Sequence, residues 1–163
     1  MSEGGAMRGG RSYLALAGWV AVSLAAGAIG AVVSGPDVWY EALDKPAWTP
    51  PNGLFGPVWT VLYVLMGVAA WLVWERRHTV SVGRPLTLFA AQLGLNAAWS
   101  WLFFGFHRPD LAFAEIVVLW AAIAATAAAF GRVWPAAGGL LLPYLGWVTF
   151  ATALNGSIWL RNG

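Results

Sequence analysis

Polar side chains set into strongly apolar helical runs have the greatest capacity for chemistry here, because hydrocarbon offers them no partner. Gln92, Asn96, Trp99 and Phe103 recur at i, i+4, i+7 and i+11, so a single helical stripe carries all four. Tyr144, Trp147, Ala151 and Asn155 repeat the pattern, and Trp59, Tyr63 and Met66 supply a third stripe. Flat rings interleaved with amides and phenols would wall a cavity inside a helical bundle. Gln92, Asn96 and the tyrosine hydroxyls would orient a large, flat, mostly apolar ligand in it. A second account needs no ligand: Asn96 and Asn155 hydrogen-bond between helices as polar glue while the tryptophans fill the core. The spacing alone leaves both open.

Other chemistries find little support. There is no cysteine, which excludes disulfides, thiolate metal sites and cysteine nucleophiles. His78 and His107 fall in polar breaks on opposite sides, so no metal site is expected and a haem held by a buried axial histidine is disfavoured. A tetrapyrrole held by stacking remains compatible. No Ser-His-Asp set or pair of carboxylates can be placed on one helix. Glu115, one turn into the fourth apolar run, is expected to reach the outer interface.

The elements that must position these stripes follow from composition. Of 163 residues, 60% are hydrophobic and only 10% charged, and the mean hydropathy is +0.66, whereas soluble domains carry about a quarter charged residues. Five bilayer spans of roughly 20 residues would use about 100 and leave short loops. That leaves no room for a nucleotide-binding fold or a soluble catalytic domain. Nine basic residues scattered over several loops are too few for a nucleic-acid stripe. Twelve tryptophans are several times ordinary usage, more than interfacial anchoring requires.

Breaker residues divide the chain into an all-α, polytopic membrane bundle of five transmembrane helices forming one domain, at about 12–34, 55–74, 85–106, 111–130 and 135–159. Pro57 is acceptable in a first helical turn. The runs lack the alternation of a β-barrel. The first run is longer than a signal-peptide core of about 7–15 residues and is taken as a retained helix. The one long connection, 35–54, is rich in proline and aromatics and net acidic, with Asp37, Glu41 and Asp44 against Lys45. Arg8, Arg11, Arg76, Arg77, Arg84 and Arg132 lie on one side, against Lys45, Arg108 and Arg161 on the other. The positive-inside rule then places the N-terminus in the cytoplasm and the C-terminus and long first loop outside. Small residues Ala90, Gly94 and Ala98 form a stripe about 200° around the third helix from Asn96. It is either a dimer face or an intramolecular contact. Gly27, Ala31 and Gly35 repeat that spacing in the first helix.

The segment Trp39-Tyr40-Glu41-Ala42-Leu43-Asp44-Lys45-Pro46-Ala47-Trp48-Thr49-Pro50-Pro51 is idiosyncratic, and Phe55-Gly56-Pro57-Val58-Trp59-Thr60-Val61-Leu62-Tyr63 follows it. Further on come Gln92-x-x-Leu95-Asn96-x-x-Trp99-Ser100, Phe103-Phe104-Gly105 and Pro143-Tyr144-x-x-Trp147-x-x-Phe150-Ala151-x-x-Leu154-Asn155. As an ordered set these resemble the tryptophan-rich sensory protein / translocator protein family (TspO/MBR, the peripheral-type benzodiazepine receptor), from the first span to the C-terminus. The resemblance implies a five-helix bundle, usually a homodimer, whose cavity opens toward the first loop and takes porphyrins such as protoporphyrin IX and haem. Carried over by motif, the ligand-binding positions are Tyr40, Trp59, Tyr63, Asn96, Trp99, Trp147 and Ala151. Trp48, Pro50 and Pro51 correspond to a lid over the cavity. Eukaryotic relatives also bind cholesterol and synthetic ligands, but Gly156 stands where their cholesterol-recognition pattern needs a tyrosine, between Leu154 and Arg161. Sterol is therefore not expected, and the compact chain looks microbial.

Three functions are compatible with the sequence. The first is a tetrapyrrole-binding membrane protein that senses, sequesters or transports porphyrin, with no obligatory cofactor and with membrane lipid and a second copy as partners. The second is a light- and oxygen-dependent porphyrin-degrading enzyme, for which Trp59 and Trp147 are the catalytic candidates. The third is a scaffold or small-ligand transporter, although the lack of a deeply placed charge argues against proton coupling. Whatever the function, a reporter fused to the C-terminus should register on the outer side; a cytoplasmic signal would reverse the assigned topology.

Overall fold

The computed structural model describes residues 3–35 and 37–163, with side chains from Gly10 onward. The side chain of Arg8, counted for topology, and Pro36 of the first break lie outside the described residues. Among the described residues the regular structure is entirely helical: α1 (Glu3–Ala31), α2 (Val38–Ala42), α3 (Asn52–Trp74), α4 (Gly83–Ser100), α5 (Pro109–Val133), α6 (Pro135–Gly139) and α7 (Leu142–Asn162). The chain is an all-α polytopic membrane bundle. Four stretches have the length and hydropathy of a span: Gly10–Ala31, Asn52–Trp74, Pro109–Val133 and Pro135–Asn162. α4 is less apolar because it carries Arg84, Gln92, Asn96 and Ser100, and the two amide residues are turned inward and buried.

Helix limits depart from the expected ones, mostly for identifiable reasons. α1 begins earlier, at Glu3, although Gly4, Gly5, Gly9 and Gly10 disfavour helix. α3 begins at Asn52, which puts Pro57 inside the helix and not in its first turn. Its missing amide leaves unpaired only the carbonyl of Gly53, at the exposed end. Beyond Ser100 the third span continues as a π-helical turn, Trp101–Gly105, an insertion that rotates the side chains after it. The fifth span is broken: α6 ends at Gly138-Gly139 and α7 restarts ahead of Pro143, which has no amide to donate. α5 starts with Pro109 at its first turn, carries Asp110 there and Arg132 in its last turn, and so matches the helix dipole at both ends.

α1 packs on α3 and α4, α4 on α5, and α5 on α6 and α7, while α6 reaches back to α3. α3 and α7 are not among the closely packed pairs; aromatic side chains occupy the space between them. The core is formed by Met66, Ala70 and Val73 of α3, Phe89 of α4, and Ile116, Leu119 and Ile123 of α5, together with Val148 of α7. Two glycines set backbone separations. A Cβ on Gly67 would lie 2.5 Å from Cα of Val20, and one on Gly138 would lie 2.7 Å from Cα of Gly131. Gly67→Ala should therefore push α1 off α3 and destabilise the detergent-solubilised protein by about 1–3 kcal/mol. Gly18→Ala, where nothing lies within 4 Å, should be neutral or stabilising. Thermal unfolding of the two variants side by side checks this.

Candidate functional site

Three aromatic-polar stripes were legible in the sequence, and the bundle turns all three toward one space. Tyr63 of α3 donates its hydroxyl proton to Oδ1 of Asn96 on α4. Nδ2 of Asn96 donates in turn to the hydroxyl of Tyr144 on α7 at 3.0 Å. One side-chain amide thus joins three helices, and Asn96 is only 4% exposed. A second amide does the same one level nearer the loop. Trp99 Nε1 donates to Oδ1 of Asn155 at 3.0 Å, and Nδ2 of Asn155 donates to the carbonyl of Pro109 at 2.8 Å. The polar-glue account of both asparagines therefore holds. It does not displace the cavity, because both side chains also line it.

The cavity has a volume of about 510 Å³, within the ~300–1,000 Å³ of small-molecule sites. Tyr40, Trp59, Tyr63, Asn96, Trp99, Trp147 and Ala151, all singled out in the sequence, line it. Trp59 lies stacked with Tyr63 at 5.6 Å between ring centroids and meets Trp147 edge-on at 6.4 Å. Trp99 stacks on Phe103 at 5.3 Å. No lining side chain carries a charge among the described residues. The indole N–H of Trp147 is buried and finds no acceptor within the protein.

Sequence reasoning missed the fourth wall. Gly27, Ala28 and Ala31 of α1 line the cavity, and a Cβ on Gly27 would collide with the Tyr63 ring. The signal is the small-residue repeat Gly27, Ala31 and Gly35, whose spacing does not say whether it faces a cavity or a helix. Gln92, by contrast, is not a lining residue; its Nε2 lies 3.8 Å from Sδ of Met66, deeper in the bundle. Glu115 does not reach the interface as expected. Both its carboxyl oxygens are buried without a partner, because its face of α5 turns inward with Ala112, Ile116 and Leu119.

The first loop closes one end. α2 begins at Asp37, whose Oδ1 accepts the amide of Tyr40 at 2.8 Å, and this helix puts Tyr40 at the cavity. Burial, and secondarily the charge of Glu41, push the Tyr40 phenol above its ordinary pKa, so it remains protonated. Lys45 Nζ donates to the carbonyls of Tyr40 at 2.6 Å and Leu43 at 3.2 Å and lies over the Tyr40 ring. The loop is fastened to α7 where Asp44 and Asn162 exchange bonds of 2.9 and 3.0 Å. Trp48, Pro50 and Pro51 are not lining residues. Trp48 packs edge-on against Phe150 at 5.7 Å, 48% exposed. Ala90, Gly94 and Ala98 are all exposed on the outer face of α4, and nothing lies within 4 Å of a Cβ built on Gly94.

A helical bundle of several spanning lengths, enclosing an uncharged aromatic cavity, defines an integral multi-pass membrane protein. The sequence profile of the TspO/MBR family matches residues 19–160, and the chain belongs to that family. It is 44% identical over 158 residues to the tryptophan-rich protein TspO of Chlorobaculum tepidum, covering 93% of this chain and 98% of that one. It is 42% identical over 126 residues to the human translocator protein, covering 76% and 75%. It is 40% identical over 141 residues to protein CrtK of Rhodobacter capsulatus, covering 84% and 86%.

Proposed function

We propose that this chain is a membrane tetrapyrrole-binding protein that acts in porphyrin sensing, sequestration or transport, with protoporphyrin IX or haem as its ligand. The observation that carries the reading is the uncharged aromatic cavity of about 510 Å³. A flat macrocycle gains most from ring faces and edges such as those of Trp59, Tyr63, Trp99 and Trp147. With no histidine in the wall, the ligand is held by stacking and not by axial coordination. With no cation in the wall, its carboxylates stay at the mouth, on the side of Tyr40 and Asn52. The names of the relatives, sensory and translocator, agree with a sensing or transport role. Ala151 marks where the α7 wall is low enough to admit a ring.

The edge-on contact of Trp59 and Trp147 favours a second reading, light- and oxygen-dependent degradation of the bound porphyrin. In it these two indoles exchange electrons with the excited ligand and dioxygen is the oxidant. We also propose that the N-terminus is cytoplasmic, that residues 1–163 form one domain, that Trp48, Pro50 and Pro51 belong to the lid, and that the exposed stripe Ala90, Gly94 and Ala98 is a homodimer face.

Titration of the purified protein with protoporphyrin IX should quench tryptophan fluorescence saturably, and both Trp59→Leu and Trp147→Leu should weaken binding about two- to tenfold, given ~0.5–1.5 kcal/mol per lost ring contact. Quenching identical in both variants would sink the tetrapyrrole reading. Illumination in air should bleach the bound porphyrin only if the second reading holds, and Trp→Phe changes should then stop bleaching while sparing binding. For the dimer face, Gly94→Leu should convert the solubilised dimer to monomer in sedimentation; an unchanged oligomer would refute it.

A further inference from the structure

The wall of the cavity is not sealed equally on all sides. Its lining residues from α2, α4, the π-helical turn and α7 are all buried or half-buried. Every exposed one lies within 24–35, on or just after α1, or within 52–60, at the start of α3. Leu24, Ala28 and Ala31 form one edge of this side, Gly56 and Thr60 the other, and all five are exposed.

The cause lies in how α1 is held. Deeper in the bundle α1 and α3 touch: Val20 meets Gly67 and Gly27 meets the Tyr63 ring, so closely that neither glycine has room for a Cβ. Beyond Gly27 the contacts of α1 pass to the third span. A Cβ on Gly30 would lie 2.9 Å from Oγ of Ser100, and one on Gly105 would lie 3.7 Å from Cγ1 of Val33. Trp101 Nε1 donates to the carbonyl of Ile29 at 3.2 Å. The π-helical turn that carries Trp101 and Gly105 thus holds the end of α1 to α4, and α1 parts from α3 where the cavity begins. On the α3 side nothing lies within 4 Å of a Cβ built on Gly53 or Gly56.

We infer that this side of the cavity is a lateral opening between α1 and α3, through which a flat apolar ligand dissolved in the bilayer passes edge-first into the site. Both edges belong to stretches with the length and hydropathy of a span, Gly10–Ala31 and Asn52–Trp74, so the opening faces hydrocarbon and not water. Leu24 to Ala31 and Asn52 to Thr60 each rise about 10–12 Å along the helix axis, most of the roughly 15 Å of hydrocarbon in one leaflet. The hydroxyls at the rim are already satisfied: Thr60 donates to the carbonyl of Gly56 and Ser34 to that of Gly30, both at 2.9 Å. Glycine and alanine keep the rim low, and an apolar ligand crosses it without stripping water from a polar group.

Entry by this route requires no movement of α2, which stays over the other end of the cavity with Tyr40 in place. It also restricts the ligand class to molecules that partition into the bilayer. The route rests on the reading of the cavity as a ligand site, but not on that ligand's being a tetrapyrrole.

The chain has no cysteine, so Ala151→Cys places a single thiol in the α7 wall of the cavity. In phosphatidylcholine vesicles this variant is treated with pyrene maleimide, a flat apolar reagent that dissolves in the bilayer. The thiol should be labelled. Gly56→Phe and Ala28→Phe, added separately, each set a ring at one edge of the opening and should slow labelling about tenfold or more through steric overlap with the entering reagent. Val118→Cys, exposed on α5, should be labelled at one rate with or without either ring, which also shows that the plugged proteins are folded in the membrane. A thiol at position 151 that is not labelled, or is labelled equally fast with either ring in place, would overturn the lateral route. No porphyrin enters this measurement, so its failure is separate from a failure of the tetrapyrrole titration.

Discussion

A primary amide buried among apolar helices in a bilayer must find its partners inside the protein, and Asn96 finds them across three helices. Its carbonyl oxygen accepts from Tyr63 and its nitrogen donates to Tyr144, so the two phenols face each other across one side chain. The orientations of the neighbouring rings follow from that. Trp59 lies nearly parallel to Tyr63 and edge-on to Tyr144 and Trp147. Gly27 leaves the room that Tyr63 occupies on the α1 side. Interhelical bonds of this kind contribute only about 0.6–2 kcal/mol each in a membrane. Their larger effect is on geometry, since they hold α3 and α7 at a distance that their backbones do not close.

The stripes could be recognised before the fold because a helical period of 3.6 residues leaves a signature that tertiary contacts do not erase. Asn96, Trp99, Trp147 and Asn155 fell on one face each, and the bundle had few other ways to bury them. The α1 wall was less legible because glycine and alanine look the same whether they face a cavity, a partner helix or lipid. Gly27 and Gly94 share a residue type and a repeat, yet one is pressed against Tyr63 and the other stands open. Helix continuity was hidden for a different reason. The π-helical turn after Ser100 and the interruption at Leu140-Leu141 both fall within uninterrupted apolar runs, where hydropathy carries no information about backbone register. Tyr40 was identified from its motif and not from periodicity, since a five-residue helix is too short to show a period.

Glu115 illustrates the limit of placing a residue by depth alone. One turn into a span, a carboxylate is expected to reach water along the helix surface. Its rotational position on α5 overrides that, because Ala112, Ile116 and Leu119 share its face and are all buried. Distance from the end of a helix and direction around it are separate coordinates, and a linear sequence gives the second only when several neighbours agree.

Charge is partitioned between the two parts of the site, and this has consequences for selection. The cavity wall has none among the described residues, while the segment that closes it carries Asp37, Glu41, Asp44 and Lys45, whose side chains meet the Tyr40 amide, Asn52, Arg161 and main-chain carbonyls in turn. An uncharged aromatic wall discriminates weakly among flat apolar ligands, because stacking depends on area and shape more than on substituents. Discrimination by charge must then occur at the mouth, where carboxylates or amines of a ligand meet the polar groups of the lid. Some of those groups also hold the segment in place: the Asp44 carboxylate faces Arg161 of α7 and the Asp37 carboxylate caps α2. On the proposed reading, a ligand whose ionised substituents competed for them would loosen the segment as it bound. On the proposed reading, recognition at the mouth would then be coupled to the order of this segment, while stacking in the interior would be nearly indifferent to it.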